Sequence, residues 1–467
     1  MPNARRRLWF LGALLAFAFP SALQADEKHV LLADRKSGHT TRVEVLLEVG
    51  GDLKLVEDGK VKSLATSVVG KLRYHEKLLA APSADGARSL RHYERAEATI
   101  KIEKETLSPK LRDARRRIVA ATGSSPTLYS PGGLLTREEL DLIEVPCNSL
   151  LIDQLLPDRR VAKGDQWKHP EELVAGLLGL DAVSQTDVTS ELASIDAKTA
   201  MMEIKGRVFG AVGGVATEIE LAGKYRFDRA AKRVTRLAFS IKEKRSVGHV
   251  AAGLDVVANL QVHVTPTAEV AELADAAGQS GRLDGDSDLT QLEYRQSGGK
   301  YSIEHDRRWH IMSEHDDVLA LRLVDRGELI AQCNLTTLPE VEPGKHPTLA
   351  RFQQDIERTL GKDFGQFITA SQAVNEAAYA VYRVEVEGVV SELPIRWNYY
   401  LLADDQGHLA VFVFTVEGEL VEQLGDADQA IVSTLRFTSQ SEDPIQQPTP
   451  AAEKSARKPP KSGKRGL

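Results

Sequence analysis

The chain has 467 residues, 60 basic and 67 acidic side chains, a net charge of −7 and 42% hydrophobic residues. Such a length suggests two or three domains with full cores, and a moderately acidic chain is poorly suited to nucleic acid, which needs a basic face. Two cysteines, Cys147 and Cys333, are too few for a disulfide scaffold; buried free thiols are expected, with a bridge between them left open.

Residues 1–25 read as a secretory signal peptide. Arg5, Arg6 and Arg7 precede an apolar run over 8–19, and Ala22 and Ala25 mark the cut. That run is shorter than the ~20 residues a spanning helix needs, and no later stretch is long and apolar enough to cross a bilayer. Removing three arginines and no acid shifts the net charge from −7 to −10. The expected location is periplasmic or extracellular.

Residues 26–266 read as a β-rich domain, an antiparallel curved sheet or sandwich. Arg42-Val43-Glu44-Val45-Leu46 alternates charged and apolar residues, and Gly50-Gly51-Asp52 and Asp58-Gly59 supply turns. Segments 68–74 and 98–102 continue the pattern. The stretch 111–121 carries Arg112, Arg115, Arg116 and Arg117. It reads as helical or irregular, its charges either a solvated face or a docking patch for an anionic partner. Thr136 and Glu139 form a capping box for a short helix. Segments 186–195, 199–208, 217–227, 233–244 and 255–264 are strand-length, with turns at 196–198, Gly213-Gly214 and 228–232. They predict a meander with one polar face and one face over a core or cavity.

Residues 267–293, rich in Ala, Gly, Asp and Ser, read as a linker with a short helix at 268–277. Residues 294–437 read as an α+β domain. Strands at 301–304, 318–323 and 329–335 precede a helix at 347–360. That helix is marked by Leu349, Phe352, Ile356 and Leu360 and stopped by Gly361. Strands at 380–390, 394–402 and 409–415, a helix at 419–430 and a closing strand at 431–437 complete it. Residues 438–467 read as a disordered, basic, Pro-rich tail, either solvated or touching an anionic surface.

The chemistry-bearing residues form no motif. His305, His310 and His315 recur at five-residue steps, which match neither a helix face nor a strand face, so surface imidazoles are expected in place of a metal site. The glycine-rich 209–215 lacks the Lys-Ser/Thr of a phosphate loop and reads as a hairpin. Ser246 has no nucleophile elbow around it. No catalytic, cofactor-binding or metal-ligating residue is assigned, and enzyme activity is not expected. Trp397 and Tyr399 alternate onto one face of a strand, with Tyr400 on the other. They are the candidate ligand-facing aromatics, with core packing as the alternative.

The strand before Trp309, the helix ending at Gly361, Val384 to Gly388 and Trp397-Asn398-Tyr399-Tyr400 are followed by an ending of the form D-x-x-I-V-x-S/T-L-x-F at 428–437. Together they resemble the PsbP-like fold of photosystem II extrinsic subunits and Ran-binding Mog-type proteins. The resemblance implies an α/β/α sandwich around an antiparallel sheet, used for binding or assembly. Val161 to Trp167 resembles a "v-x-x-G-D-x-W" signature of uncharacterised bacterial secreted β-rich proteins. The strand plan of this half is also similar to that of lipoprotein carriers, in which a curved sheet covers a hydrophobic cavity. The expected function is an exported, non-catalytic, two-domain binding or envelope-assembly protein. Its partner would be a protein or lipid of the envelope, with no cofactor. The alternatives are a periplasmic carrier holding a lipid in the N-terminal sheet and a hydrolase of unfamiliar type.

Overall fold

The computed structural model describes residues 27–438 except 58, 84–85, 124–126, 275–286 and 316. The expected signal peptide, most of the expected tail and part of the expected linker lie outside the described residues. Thirteen described strands build one open sheet. They are β1 (Thr40–Glu57), β2 (Lys60–Ser83), β3 (Gly86–Ile102), β4 (Glu105–Leu107), β5 (Arg117–Ala121), β6 (Thr127–Tyr129), β7 (Gln166–Lys168), β8 (Ala182–Thr186), β9 (Thr189–Ile195), β10 (Thr199–Val212), β11 (Val215–Asp228), β12 (Arg233–Arg245) and β13 (Gly253–Pro266). The order is β6-β5-β3-β2-β1-β13-β12-β11-β10-β9-β7, with β4 on β3 and β8 on β10. The first and last long strands pair, Val45 opposite Val262, so both ends of this region belong to one sheet. Every ladder is antiparallel.

Alternation decides what each face does. Val43 and Val45, Leu72 and Tyr74, Leu237, Phe239 and Ile241, and Leu260 and Val262 all enter one core. Their neighbours Glu44, Arg73, Lys242 and His263 take the opposite, more exposed face. The inner face is covered by the chain itself. Helices α1 (Arg137–Ile143) and α2 (Glu171–Leu178) and the 3-10 turn Ile152–Leu155 bring Leu140, Ile143, Leu150, Leu155, Leu173 and Leu177 into the same core. The capping box holds: Thr136 accepts from the Glu139 amide, and Glu139 accepts from the Thr136 amide. The signature at 161–167 is a turn. Asp165 accepts from the Ala162 amide at 2.9 Å, and the Trp167 indole donates to the Leu155 carbonyl at 2.9 Å.

Two expectations need correction in this half. The segment 111–121 is a 3-10 turn at Asp113–Arg115 followed by β5, and Arg112 and Arg115 point into ion pairs with Glu139 and Glu293. Carboxylates distant in sequence turn Arg112 and Arg115 inward, whereas Arg116 pairs locally with Asp113. The strand expected over 186–195 is present as β9 but starts at Thr189, after a break in which Val188 turns into the core; Thr186 ends β8. The expected helix after 268 is α3 (Ala271–Ala274). Leu273 is fully buried against Leu90, Val119 and Tyr129, so this part of the connection is packed onto the sheet.

The second half contains β14 (Leu292–Arg295), β15 (Tyr301–His305), β16 (Trp309–His315), β17 (Val318–Asp325), β18 (Glu328–Leu338), β19 (Phe364–Val374), β20 (Ala380–Val390), β21 (Leu393–Ala403), β22 (Leu409–Glu417) and β23 (Arg436–Phe437). A seven-stranded sheet runs β16-β17-β18-β22-β21-β20-β19, and β14-β15-β23 form a small separate sheet. Helix α4 (Leu349–Leu360) packs Phe352 and Ile356 on one face of the large sheet. Helices α5 (Val421–Leu424) and α6 (Ala427–Ser433) pack on the other face, in a core shared with Tyr301 and Ile303 of the small sheet. The chain is thus β-rich, with an antiparallel N-terminal sheet and an α+β C-terminal half. Of the closing strand expected over 431–437, residues 431–433 form the end of α6, where Ile431 and Val432 are buried, Leu435 is buried just beyond the helix, and only β23 is extended, pairing with β15. The β-branched run concealed a three-to-four spacing.

Candidate functional site

Strand β21 is covered on both faces, and its residues divide by parity. Trp397 and Tyr399, the candidate ligand-facing aromatics, lie together under α4 in one core. They are 6% and 7% exposed. The Phe352 ring meets Tyr399 edge-on, centroids 6.4 Å apart, and burial pushes the Tyr399 phenol up to about 12. Tyr400 faces the opposite core, as alternation requires. Beside it lies a polar cluster that sequence reasoning missed. Asp428, fully buried at the start of α6, accepts from the Asn398 side-chain amide at 2.7 Å and from the Tyr400 hydroxyl at 2.8 Å. The acid of the D-x-x-I-V ending therefore ties α6 to the sheet. The available signal was that Asn398 and Tyr400 share a phase in β21.

The densest buried polar constellation lies in the N-terminal half, between the sheet and its helical cover. The Arg91 guanidinium donates to Glu76 at 2.9 Å and to Asn148 at 2.6 Å. Ser89 and Ser149 also donate to Glu76, each at 2.9 Å. Arg35 lies 3.7 Å from Glu76 and 3.6 Å from Asp153, and Arg91 stacks 4.9 Å over the Tyr74 ring. Burial raises the Glu76 carboxyl, but the Arg91 and Arg35 charges and these hydrogen bonds outweigh it and hold the group below the usual range. Burial dominates at Asp153 and pushes it up despite Arg35. Loops, β2, β3 and the helical cover all contribute, so the network fastens the cover to the sheet. Its members are scattered in sequence, which hid it. The one local clue is that Glu76 occupies an inward position between Tyr74 and Leu78.

The three histidines do not converge. His305 is on β15 and buried, whereas His310 and His315 are on β16, in a different sheet. His305 corrects the expectation of surface imidazoles: it sits at the junction of the two halves, with one ring nitrogen 2.9 Å from the Asp306 carbonyl. Burial lowers it, and burial together with Arg137 and His305 lowers His310 to about 4. The cysteines are both free and belong to separate cores, and burial pushes both thiols up.

Among the described residues, two contacts between the halves stand out. At one, Leu135 and Leu292 form a parallel bridge, and the Arg307 guanidinium donates to the Thr290 carbonyl at 2.8 Å and the Leu128 carbonyl at 2.5 Å. At the other, the β10–β11 turn abuts the β17–β18 turn. A Cβ on Gly327 would lie 2.4 Å from the Gly214 Cα, and both glycines have positive φ. The glycine-rich 209–215 is indeed a hairpin, and its turn lets two backbones touch.

No family model matches the chain, and no curated protein matches it in sequence. Among solved structures, 32% of this chain aligns with 92% of the cyanobacterial PsbP of Synechocystis sp. PCC 6803, at 14% identity and a TM-score of 0.26. The same share aligns with a protein of Bacteroides thetaiotaomicron VPI-5482 at 9% identity and a TM-score of 0.25, covering 49% of it; this chain spans about half that protein's length. The outer membrane protein OprD of Pseudomonas aeruginosa aligns over 82% of this chain and 94% of its own, at 8% identity and a TM-score of 0.12. The likeness to PsbP thus extends over about a third of the chain, and at these scores all three remain likenesses.

Proposed function

We propose that this chain is an exported, non-catalytic binding or assembly protein of the cell envelope, its two halves clamped into one scaffold. The observation that carries the reading is the fate of the buried charges. Glu76 and Asp428 direct their oxygens into ties between elements of the fold. Catalytic acids and bases instead need an approach for substrate. The lipid-carrier reading requires the segment 135–180 to leave the apolar face, against the buried ties of Arg91 to Asn148 and of Ser149 to Glu76. The test is affinity isolation of the tagged protein from its native envelope, with proteins and lipids identified together and the amino terminus sequenced. A recurrent envelope partner and a start at Asp26 are expected. Turnover of a substrate by the purified protein, or an intact Met1 in the cytosol, would overturn the proposal.

A further inference from the structure

Guanidiniums clasp the two halves together. Arg137 of α1 donates to the Arg307 carbonyl at 2.6 Å, and Arg307 donates to the Leu128 carbonyl at 2.5 Å. Arg322 of β17 donates to the His249 carbonyl, in the connection between β12 and β13. Each clasp ends on a backbone carbonyl, which accepts the hydrogen bond but brings no charge to match the cation. Two imidazoles lie among these arginines. His305 is 2% exposed. Its Nδ1 lies 2.9 Å from the Asp306 carbonyl, a pure acceptor, so Nδ1 carries the ring proton. Nε2 is then a bare lone pair, buried and without a hydrogen-bond partner. His310, half-buried on β16, stands directly opposite Arg322 in the β16–β17 ladder.

We propose that this joint is an acid-sensitive catch, in which protonation of His305 and His310 parts the two halves while each half stays folded. The charged groups facing His305 are Arg137 and Glu138 of α1 and its neighbour Asp306, while β14 sets the apolar Leu292 opposite it. Those facing His310 are Arg137, Arg322 and His305. A proton on either ring therefore adds a cation to a joint closed by cations. On His305 it makes a buried N–H with no acceptor, and on His310 it sets like charges opposite each other in a ladder. Burial, with Arg137 behind it, holds both rings below the ordinary imidazole value, His310 at about 4. Both rings thus bind protons more tightly once the joint opens, so a fall in pH from about 6.5 toward 4 favours the open form. Asp141 of α1 works the other way, since burial raises it to about 6 and its protonation favours the closed joint. Two rings oppose that one carboxyl.

The inference rests on the joint alone, so evidence of catalysis would remove the proposed function and leave it intact. The test is small-angle scattering on the chain starting at Asp26, from about pH 7.5 to about pH 4.5, with far-ultraviolet circular dichroism on the same samples. The radius of gyration is expected to rise as the pH falls, while the dichroism holds. His305→Gln with His310→Gln, whose amides stay neutral, should lower the open-to-closed ratio at about pH 4.5 on the order of tenfold or more. Because His305 is buried, His310→Gln alone is the second variant; at its half-buried position the fold should persist and the opening should move to lower pH. A constant radius with intact dichroism overturns the proposal. So does a radius that rises only as the dichroism is lost, or a His310→Gln protein that opens at the same pH as the wild type.

Discussion

Replacing Arg91 with Met tests whether the buried network fastens the helical cover to the sheet. The substitution keeps an apolar stem of similar reach and removes the guanidinium. Lost with it are the bonds to Glu76 and Asn148, at 2.9 and 2.6 Å, and the stacking on Tyr74. Glu76, its side chain 1% exposed, keeps Arg35 at 3.7 Å as its nearest ion-pair partner. Removing one partner of a buried pair costs about 3–5 kcal/mol, because the other charge stays desolvated. That is a large share of the roughly 5–15 kcal/mol that stabilises a domain. Urea unfolding at neutral pH, followed by far-ultraviolet circular dichroism, measures it. Glu76→Met combined with Arg91→Met should cost less than the two singles summed, by roughly 0.5–3 kcal/mol. The pH dependence adds a sign. Glu76 is held below its ordinary value, so its stabilisation is present above the usual glutamate range and lost as pH falls through the lower folded value. In Arg91→Met that loss should begin at higher pH. A cost under about 1 kcal/mol, or an additive double mutant, would refute the assignment of this network as a fastening.

Asp428→Ala should destabilise the C-terminal half by roughly 2–5 kcal/mol, because the buried Asn398 amide and Tyr400 hydroxyl lose their shared acceptor; Asp428→Asn, which keeps an acceptor, should cost less in the same urea titration. Gly327→Val places a side chain where Gly214 backbone now lies, so small-angle scattering should report a larger radius of gyration and trypsin should cut faster between the halves; unchanged values would mean that the turns do not hold them. The His310 ring should titrate near pH 4 by nuclear magnetic resonance. Its folded value lies below its unfolded one, so it takes stability away as pH falls from about 6.5 toward 4. A midpoint near 6.5 would show that the ring is hydrated.

Periodicity made most of the strands legible. Val43 and Val45, or Leu237, Phe239 and Ile241, point one way because a half-buried sheet leaves no other choice. The helix from Leu349 was equally plain, since Phe352 and Ile356 sit four apart on one face. Pairing between distant strands was not legible. Nothing local in Val45 announces that Val262 lies beside it, nor that Leu273 of the linker will bury itself on Leu90. The basic stretch near Arg112 misled for the same reason: Glu139 and Glu293, which neutralise it, are 27 and 181 residues away. Trp397 and Tyr399 were placed correctly on one face of a strand, but alternation alone does not tell a helix-covered face from an open one.

Polar residues in phase with apolar ones carry more information than clusters of charge. Glu76 keeps step with Leu72, Tyr74 and Leu78, which enter the core, so it must be buried, and a buried carboxylate must have partners. Asn398 keeps step with Tyr400 and Leu402, and the same necessity leads to Asp428. Each such residue marks a joint where an otherwise sliding apolar interface gains a fixed register. The converse singles out β19. There, uncharged residues of high strand preference lie exposed along an edge, with no element of the described chain to cover them.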